Sequence, residues 1–290
     1  MTSKYGKMWV DGAITDSNDA NIPIMTHGLH YASSVFEGIR VYYNKIFMLD
    51  EHIDRLFLSA NLIGMTIPFS KDQIKNATLE VVAKNDIYFG YIRPVVFRGS
   101  EEIKIAAPNT TVHVAIAVWN TNTIEVPKDL SKGYKLNIGD YKRPSKECLP
   151  VQSKCAASYA IATLEKHKAL AKGFDDSLLL DFEGNVAETT SSNIFFVKDN
   201  KLYTPLADCF LNGLTRQKII FIAKQLEINV IETKINPNNI YEFEDCFVTS
   251  TTLDIMPVSS INKIIFNRHN ITKRIYNKFY EDCILAYKSS

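Results

Sequence analysis

An α+β fold in two domains is predicted by three features of the sequence. The 290-residue chain exceeds the common single-domain length, so two domains of roughly 100–150 residues are expected. Hairpin signals outnumber the strand–helix–strand units that a doubly wound parallel sheet would need. A polar stretch without hydrophobic period, residues 121–133 with Pro127, reads as a linker. It separates a small N-terminal domain, 1–120, from a larger mixed-sheet C-terminal domain, 134–290.

In chain order, Lys7–Val10 and Ala13–Thr15 flank Asp11-Gly12, the dipeptide of a type I′ hairpin. A second hairpin follows over Val41–Leu49. Asp50 then caps a helix whose Ile53, Leu56, Phe57, Ala60 and Ile63 recur at helical spacing. Ser70 and Gln73 have capping-box spacing for the next helix. Tyr91–Phe97 and Val112–Trp119 read as strands, the second apolar enough for burial on both faces. Beyond the linker, the pattern predicts a helix at 156–172 stopped by Gly173, a strand Ser177–Asp181 and a Glu183-Gly184-Asn185 turn. It continues with a strand pair about Asp199-Asn200, a helix Thr215–Leu226, a strand Asp245–Thr249 and an amphipathic helix after Asn270.

Lys plus Arg (33) balances Asp plus Glu (32) and the basic residues are dispersed, so no nucleic-acid or anionic-membrane footprint is present. The apolar runs are too short for a bilayer span and Met1–Tyr5 lacks the apolar core of a signal peptide. Five cysteines without a Cys-x-x-Cys pair suit reduced thiols. A cytoplasmic protein is expected.

Neither a Gly-x-Gly-x-x-Gly nor a Walker loop occurs, so phosphate would have to be held another way. His27-x-x-His30 lacks a third ligand at a matching offset, and no metal is expected. Gly213-Leu214-Thr215-Arg216 opens a helix whose first N–H groups could cradle a phosphate; a solvated helix start is the alternative. Ser250-Thr251-Thr252 places hydroxyls at a strand end, where a plain polar turn is equally consistent. Lys154 precedes a helix among the small residues Ser153, Cys155, Ala156 and Ala157. An imine-forming lysine must shed a proton held at an ordinary pKa of about 10.4, which burial or nearby cations favour. Leu149 and Val151 are compatible with that, but most lysines are surface charges.

Taken together, the motifs resemble those of fold-type IV pyridoxal-phosphate enzymes, and most closely the branched-chain amino-acid aminotransferases. The resemblance rests on Lys7-Met-Trp-Val-Asp-Gly12, His27-Gly-Leu-His-Tyr-Ala-Ser-Ser-Val-Phe-Glu-Gly-Ile-Arg40, Glu51-His-Ile-Asp-Arg-Leu-Phe57 and Tyr91-Ile-Arg-Pro-Val-Val-Phe-Arg-Gly99. It continues through Lys154, Val186-Ala-Glu-Thr-Thr-Ser-Ser-Asn-Ile-Phe195, Asn212-Gly-Leu-Thr-Arg216 and Met256-Pro-Val258.

The resemblance implies the cofactor pyridoxal 5′-phosphate, carried by Lys154, which also shuttles the proton. It makes Arg55, Leu214, Thr215 and Thr251 phosphate ligands, Tyr159 the partner of the ring hydroxyl, and Glu188 the carboxylate at the pyridine nitrogen. Substrate residues matched in the same way are Tyr31, Phe36, Gly38, Arg40, Tyr91 and Arg93, with Thr252 and Leu253 at the substrate carboxylate. The implied reaction passes an amino group between leucine, isoleucine or valine and 2-oxoglutarate, so aromatic walls suit one substrate and Arg93 the second carboxylate of the other. Tyr31 commonly reaches a neighbouring subunit in the family, implying at least a homodimer. The chain departs from the family pattern at Thr189–Ser192, at Thr252-Leu253-Asp254 and at Asn120–Ile124, where it lacks a Gly-Ala-Tyr run. The rival readings are a D-amino-acid aminotransferase, an aminodeoxychorismate-lyase-like enzyme, or a cofactor-binding protein without turnover.

Overall fold

The computed structural model describes residues 5–121 and 129–288. Within them the chain forms two compact units: 5–121 with Ser153–Ala157, and 129–152 with 158–288. Residues 122–128, most of the expected linker, lie outside the described residues.

The first unit opens with β1 (Lys7–Val10) and β2 (Ala13–Asp16), joined at Asp11 and Gly12, whose φ angles of 47° and 104° are the positive values a type I′ turn requires. A short helix α1 (His27–Tyr31), β3 (Ser34–Phe36), β4 (Ile39–Tyr42) and β5 (Lys45–Ile46) follow. Next are helices α2 (Leu49–Leu62) and α3 (Lys71–Lys84), then the long strands β6 (Gly90–Arg98) and β7 (Val112–Asn120).

The strands form one sheet in the order β2-β1-β7-β6-β4-β5, with β3 also on β6. β3 and β4 keep a single register against β6, Phe36 opposite Val95 and Ile39 opposite Ile92. Pro94 of β6 accepts from the Glu37 N–H at 2.9 Å but has no N–H to return, so the ladder breaks there and one strand becomes two. Side chains alternate across the sheet. Val35, Ile39, Val41, Ile92, Val96, Val114, Ile116 and Val118 therefore share a core with Ile53, Leu56 and Ala60 of α2 and Ile74, Ala77 and Val81 of α3. Burying Leu56 completely stabilises this unit by about 1.5–3 kcal/mol.

Two local expectations are corrected. Asp50 does not cap α2; the N-cap is Met48 at φ 52°, with no side-chain cap, and Asp50 sits in the first turn paired with Lys75 at 2.6 Å. β7 is not buried on both faces: Val114, Ile116 and Val118 are buried and the residues between them half-buried, because small Ala115 and Ala117 leave that face shallow. The Ser70–Gln73 capping box is present.

The second unit contains β8 (Tyr134–Ile138), a 3₁₀ turn at 156–158, α4 (Tyr159–Ala171), β9 (Asp176–Leu180), β10 (Val186–Thr189), β11 (Asn193–Lys198) and β12 (Lys201–Thr204). It continues with α5 (Leu214–Gln225), β13 (Val230–Glu232), β14 (Asp245–Ser250), β15 (Asp254–Ile261), β16 (Ile264–Ile265) and α6 (Asn270–Tyr280). The sheet runs β10-β9-β8-β15-β14-β11-β12-β13 with β16 on β15. It is mixed: β8 pairs in parallel with β9 and β15, and β12 with β13, whereas β11, β14 and β15 are antiparallel neighbours. The fold is thus α+β, as the hairpin signals predict. Among the described residues no helix is long and apolar enough to cross a membrane.

Candidate functional site

In the first unit, the broken strand points Glu37 toward α2, on the face of Val35 and Ile39, because the side chains alternate. α2 meets it with His52 and Arg55, three residues apart and so on one helix face. Arg55 donates from Nε to Glu37 Oε1 at 2.6 Å and from Nη2 to Oε2 at 2.8 Å, while His52 Nδ1 lies 2.7 Å from Oε2. Burial would raise the Glu37 pKa, but the charge and hydrogen bonds of Arg55, with those of His52, more than offset this and hold it far below the usual carboxylate range. Burial also pushes the His52 pKa down, the Glu37 hydrogen bond opposing it.

One turn on, Ser59 of the same face fixes the Lys154 loop. Its Oγ accepts the Lys154 backbone N–H at 3.0 Å and its carbonyl accepts from Ser153 Oγ at 2.9 Å. On the other side Lys154 O accepts from Phe36 N–H at 3.1 Å, and Cys155 bridges Val35. The loop is thereby an extra rung beside β3, and Lys154 Nζ lies 5.1 Å from the Phe36 ring centre.

The opposite face of the same strands carries Phe36, Gly38, Arg40, Tyr91 and Arg93. The Arg93 guanidinium lies 4.8 Å from the Phe36 ring centre and 5.7 Å from that of Tyr91. Arg40 stands opposite Tyr91. The Nε atoms of Arg40 and Arg93 are buried without a hydrogen-bond partner, which in a folded protein calls for an anion or another acceptor. Gly38 makes room for Tyr91, since a Cβ there would fall 1.8 Å from its hydroxyl. Tyr31 ends α1 with an exposed ring and donates to Ile103 O at 3.4 Å. His27 and His30 are engaged as ordinary polar groups, His27 with Ser33 Oγ and Lys104 O, His30 with Ile24 O. Among the described residues no group of three or more metal-ligating side chains is assembled.

In the second unit, Glu188 of β10 lies 3.3 Å from Arg143 Nε and accepts from Asn193 Nδ2 at 3.3 Å. The Arg143 approach is not aligned for a hydrogen bond, and its Nε has no other partner; its Nη1 donates to Ser158 O, the N-cap of α4, at 3.1 Å. Tyr159 is the first residue of that helix. Arg143 therefore joins the strand of Glu188 to the helix start of Tyr159. α5 begins at Leu214-Thr215 behind Gly213, with no side-chain cap. A Cβ on Gly213 would lie 2.3 Å from Asn193 Oδ1, which accepts the Gly213 N–H at 3.2 Å. Thr251, Thr252 and Leu253 form the turn between β14 and β15, where Leu253 N–H donates to Ser250 Oγ at 3.2 Å and its side chain packs on the core.

A model of the family "Amino-transferase class IV" matches residues 34–261. The chain belongs to this family. It is 42% identical over 279 residues to a "Probable branched-chain-amino-acid aminotransferase" of Rickettsia felis, covering 95% of each. Among solved structures it is similar to the branched-chain amino acid aminotransferase of T.th. with pyridoxamine 5′-phosphate, at 32% identity and a TM-score of 0.92, covering 96% of this chain and 94% of that one. The same T.th. protein complexed with N-(5′-phosphopyridoxyl)-L-glutamate gives a TM-score of 0.89 at 32% identity, with the same coverage. The two-unit α+β architecture is thus that of class IV aminotransferases.

Structure adds residues that sequence reasoning did not assign. Glu37 and His52 lie inside the quoted motifs, but nothing in a linear reading pairs them with Arg55. Ser59 looks like an ordinary helix serine. Arg143, in a Pro-containing loop after β8, carries no motif at all.

Proposed function

We propose that the protein is a branched-chain amino-acid aminotransferase that uses pyridoxal 5′-phosphate to pass an amino group between leucine, isoleucine or valine and 2-oxoglutarate. The observation that carries this reading is the face of β3, β4 and β6. Phe36 and Tyr91 supply aromatic wall for an aliphatic side chain, while buried Arg40 and half-buried Arg93, each with a buried Nε that has no hydrogen-bond partner, suit carboxylates.

The donor set fits the cofactor. A phosphate needs fixed cationic or N–H donors; the first unit holds a fixed cation in Arg55, and the second unit has an uncapped helix start at Leu214 and Thr215. A protonated pyridine nitrogen needs a carboxylate acceptor, which Glu188 would be, and an aldehyde needs an amine, which Lys154 would supply. When bound, the group supplies an electron sink for the charge left as the substrate Cα–H bond breaks. Lys154 carries the group and its amine moves the proton taken from Cα. Arg143 and Asn193 orient the Glu188 carboxylate. Tyr159 offers its hydroxyl to the ring oxygen and Thr251 its hydroxyl to the phosphate. In the first unit Arg40 is read as a substrate residue and Arg93 as the partner of the second carboxylate of glutamate; in the second unit Thr252 and Leu253 are read as residues at the substrate carboxylate. Tyr31, Phe36, Gly38 and Tyr91 shape the side-chain wall.

The reading extends to a homodimer in the cytoplasm. Ile22, Ile24, Met25, Leu29 and Tyr31 leave large apolar side chains exposed along one segment, which suits an isologous interface. All five cysteines are free thiols, which suits a reducing compartment.

The reading is tested by mixing the protein and pyridoxal phosphate with 2-oxoglutarate and either L-leucine or D-alanine, then following glutamate and its handedness. Turnover with leucine giving L-glutamate is expected; turnover with D-alanine alone would select the D-amino-acid branch. Gly38→Ala should drive the Tyr91 ring out of place and lower kcat/KM for leucine about tenfold, through KM more than kcat. Steady-state kinetics checks this.

A further inference from the structure

Glu37 is fully buried and makes no contact that the reaction itself requires, yet its carboxylate is saturated with donors. Oε1 takes Arg55 Nε, and Oε2 takes Arg55 Nη2, His52 Nδ1 and the Gly38 N–H. An imidazole that is neutral when buried must carry its proton on Nδ1 to donate here. Stability alone is a poor reason for such a cluster. A buried ion pair exchanged for apolar side chains is often no less stable, and this face of α2 already borders an apolar core.

What the cluster does accomplish is geometric. A guanidinium is a planar fork with two edges. Glu37 takes the edge formed by Nε and Nη2, which fixes the plane and with it the direction of Nη1, while the buried His52 holds the carboxylate from behind. The same helix face, through Ser59, seats the backbone of Lys154. The rotamer freedom that a long side chain would lose on gripping a ligand is lost already on folding.

We propose that Glu37, held by His52, is the positioning residue of Arg55, presetting its guanidinium for one anion: the phosphate of the pyridoxal cofactor. The inference rests on the reading of Arg55 given above. It assigns to Glu37 and His52 an effect on phosphate recognition and none on recognition of the ring.

The test compares cofactor-stripped wild type with Glu37→Gln, a substitution that keeps the shape but faces an amide N–H toward His52 and Arg55. Each is titrated by fluorescence with pyridoxal 5′-phosphate and with pyridoxal, which lacks the phosphate. The phosphorus NMR resonance of the bound ester is recorded as well. Glu37→Gln should weaken pyridoxal 5′-phosphate binding about tenfold or more, move the phosphorus resonance, and leave pyridoxal affinity within about twofold. Equal weakening for both ligands, or no weakening for either, would overturn the proposal. If Glu37→Gln does not fold, His52→Leu is read instead, with a phosphate-specific loss of about threefold or more, restored by the amide donor of His52→Gln. Absence of that selective loss overturns the proposal equally. Wild type that binds neither ligand would instead overturn the functional reading, and the inference with it.

Discussion

Lys154→Ala is expected to lower kcat for leucine on the order of 10²–10⁴-fold, the range a positioned proton-transfer group supplies, and to abolish the visible absorbance of the cofactor-loaded protein. The fold should survive the change. What anchors this loop is the Lys154 backbone, whose N–H is held by Ser59 Oγ and whose carbonyl accepts from Phe36, together with Ser153 and the Cys155 bridge to Val35. Truncating the side chain removes none of these bonds. The unfolding midpoint in urea should therefore move little, whereas an effect through the fold would shift midpoint and activity together.

Glu188→Gln is expected to have the next largest effect, a fall in kcat on the order of 10²–10³-fold, with a smaller change in KM. An amide cannot hold a proton on a pyridine nitrogen as a carboxylate does, so the electron sink weakens while the cofactor can still dock. Glu188→Ala should be worse for stability than the isosteric change. It strands the Arg143 guanidinium, whose side chain is only 6% exposed, and losing one partner of a buried pair costs about 3–5 kcal/mol. Urea denaturation of the two variants alongside activity separates the electronic contribution from the structural one.

Local chemistry made much of the fold legible. Asp11-Gly12 named its turn because few residues accept two successive positive φ angles, and Ser70 with Gln73 named a helix start because the two side chains satisfy each other's backbone donors. Asp50 misled for a related reason: a good capping residue stands next to the true start, but the chain enters α2 through a left-handed Met48. The strand Ser34–Phe36 escaped notice because it is short and its continuation is cut by a proline in its neighbour, a non-local cause.

The site divides in the same way. Lys154 stands out only weakly, as a lysine among small residues before a helix, and Arg55 and Glu188 are singled out as candidates through family resemblance alone. The Arg55–Glu37–His52 cluster depends on strand alternation meeting helical spacing across a core, which no linear motif encodes. Arg143 was silent in sequence because a buried arginine and a surface one read alike until the fold places Glu188 beside one of them.

The central claim is that the Lys154 amine holds the cofactor, and borohydride reduction of the protein loaded with pyridoxal 5′-phosphate tests it most directly. After proteolysis, mass mapping should find the phosphopyridoxyl group on the peptide containing Lys154, in about one equivalent per chain. Label on another lysine, or on none, would contradict the account.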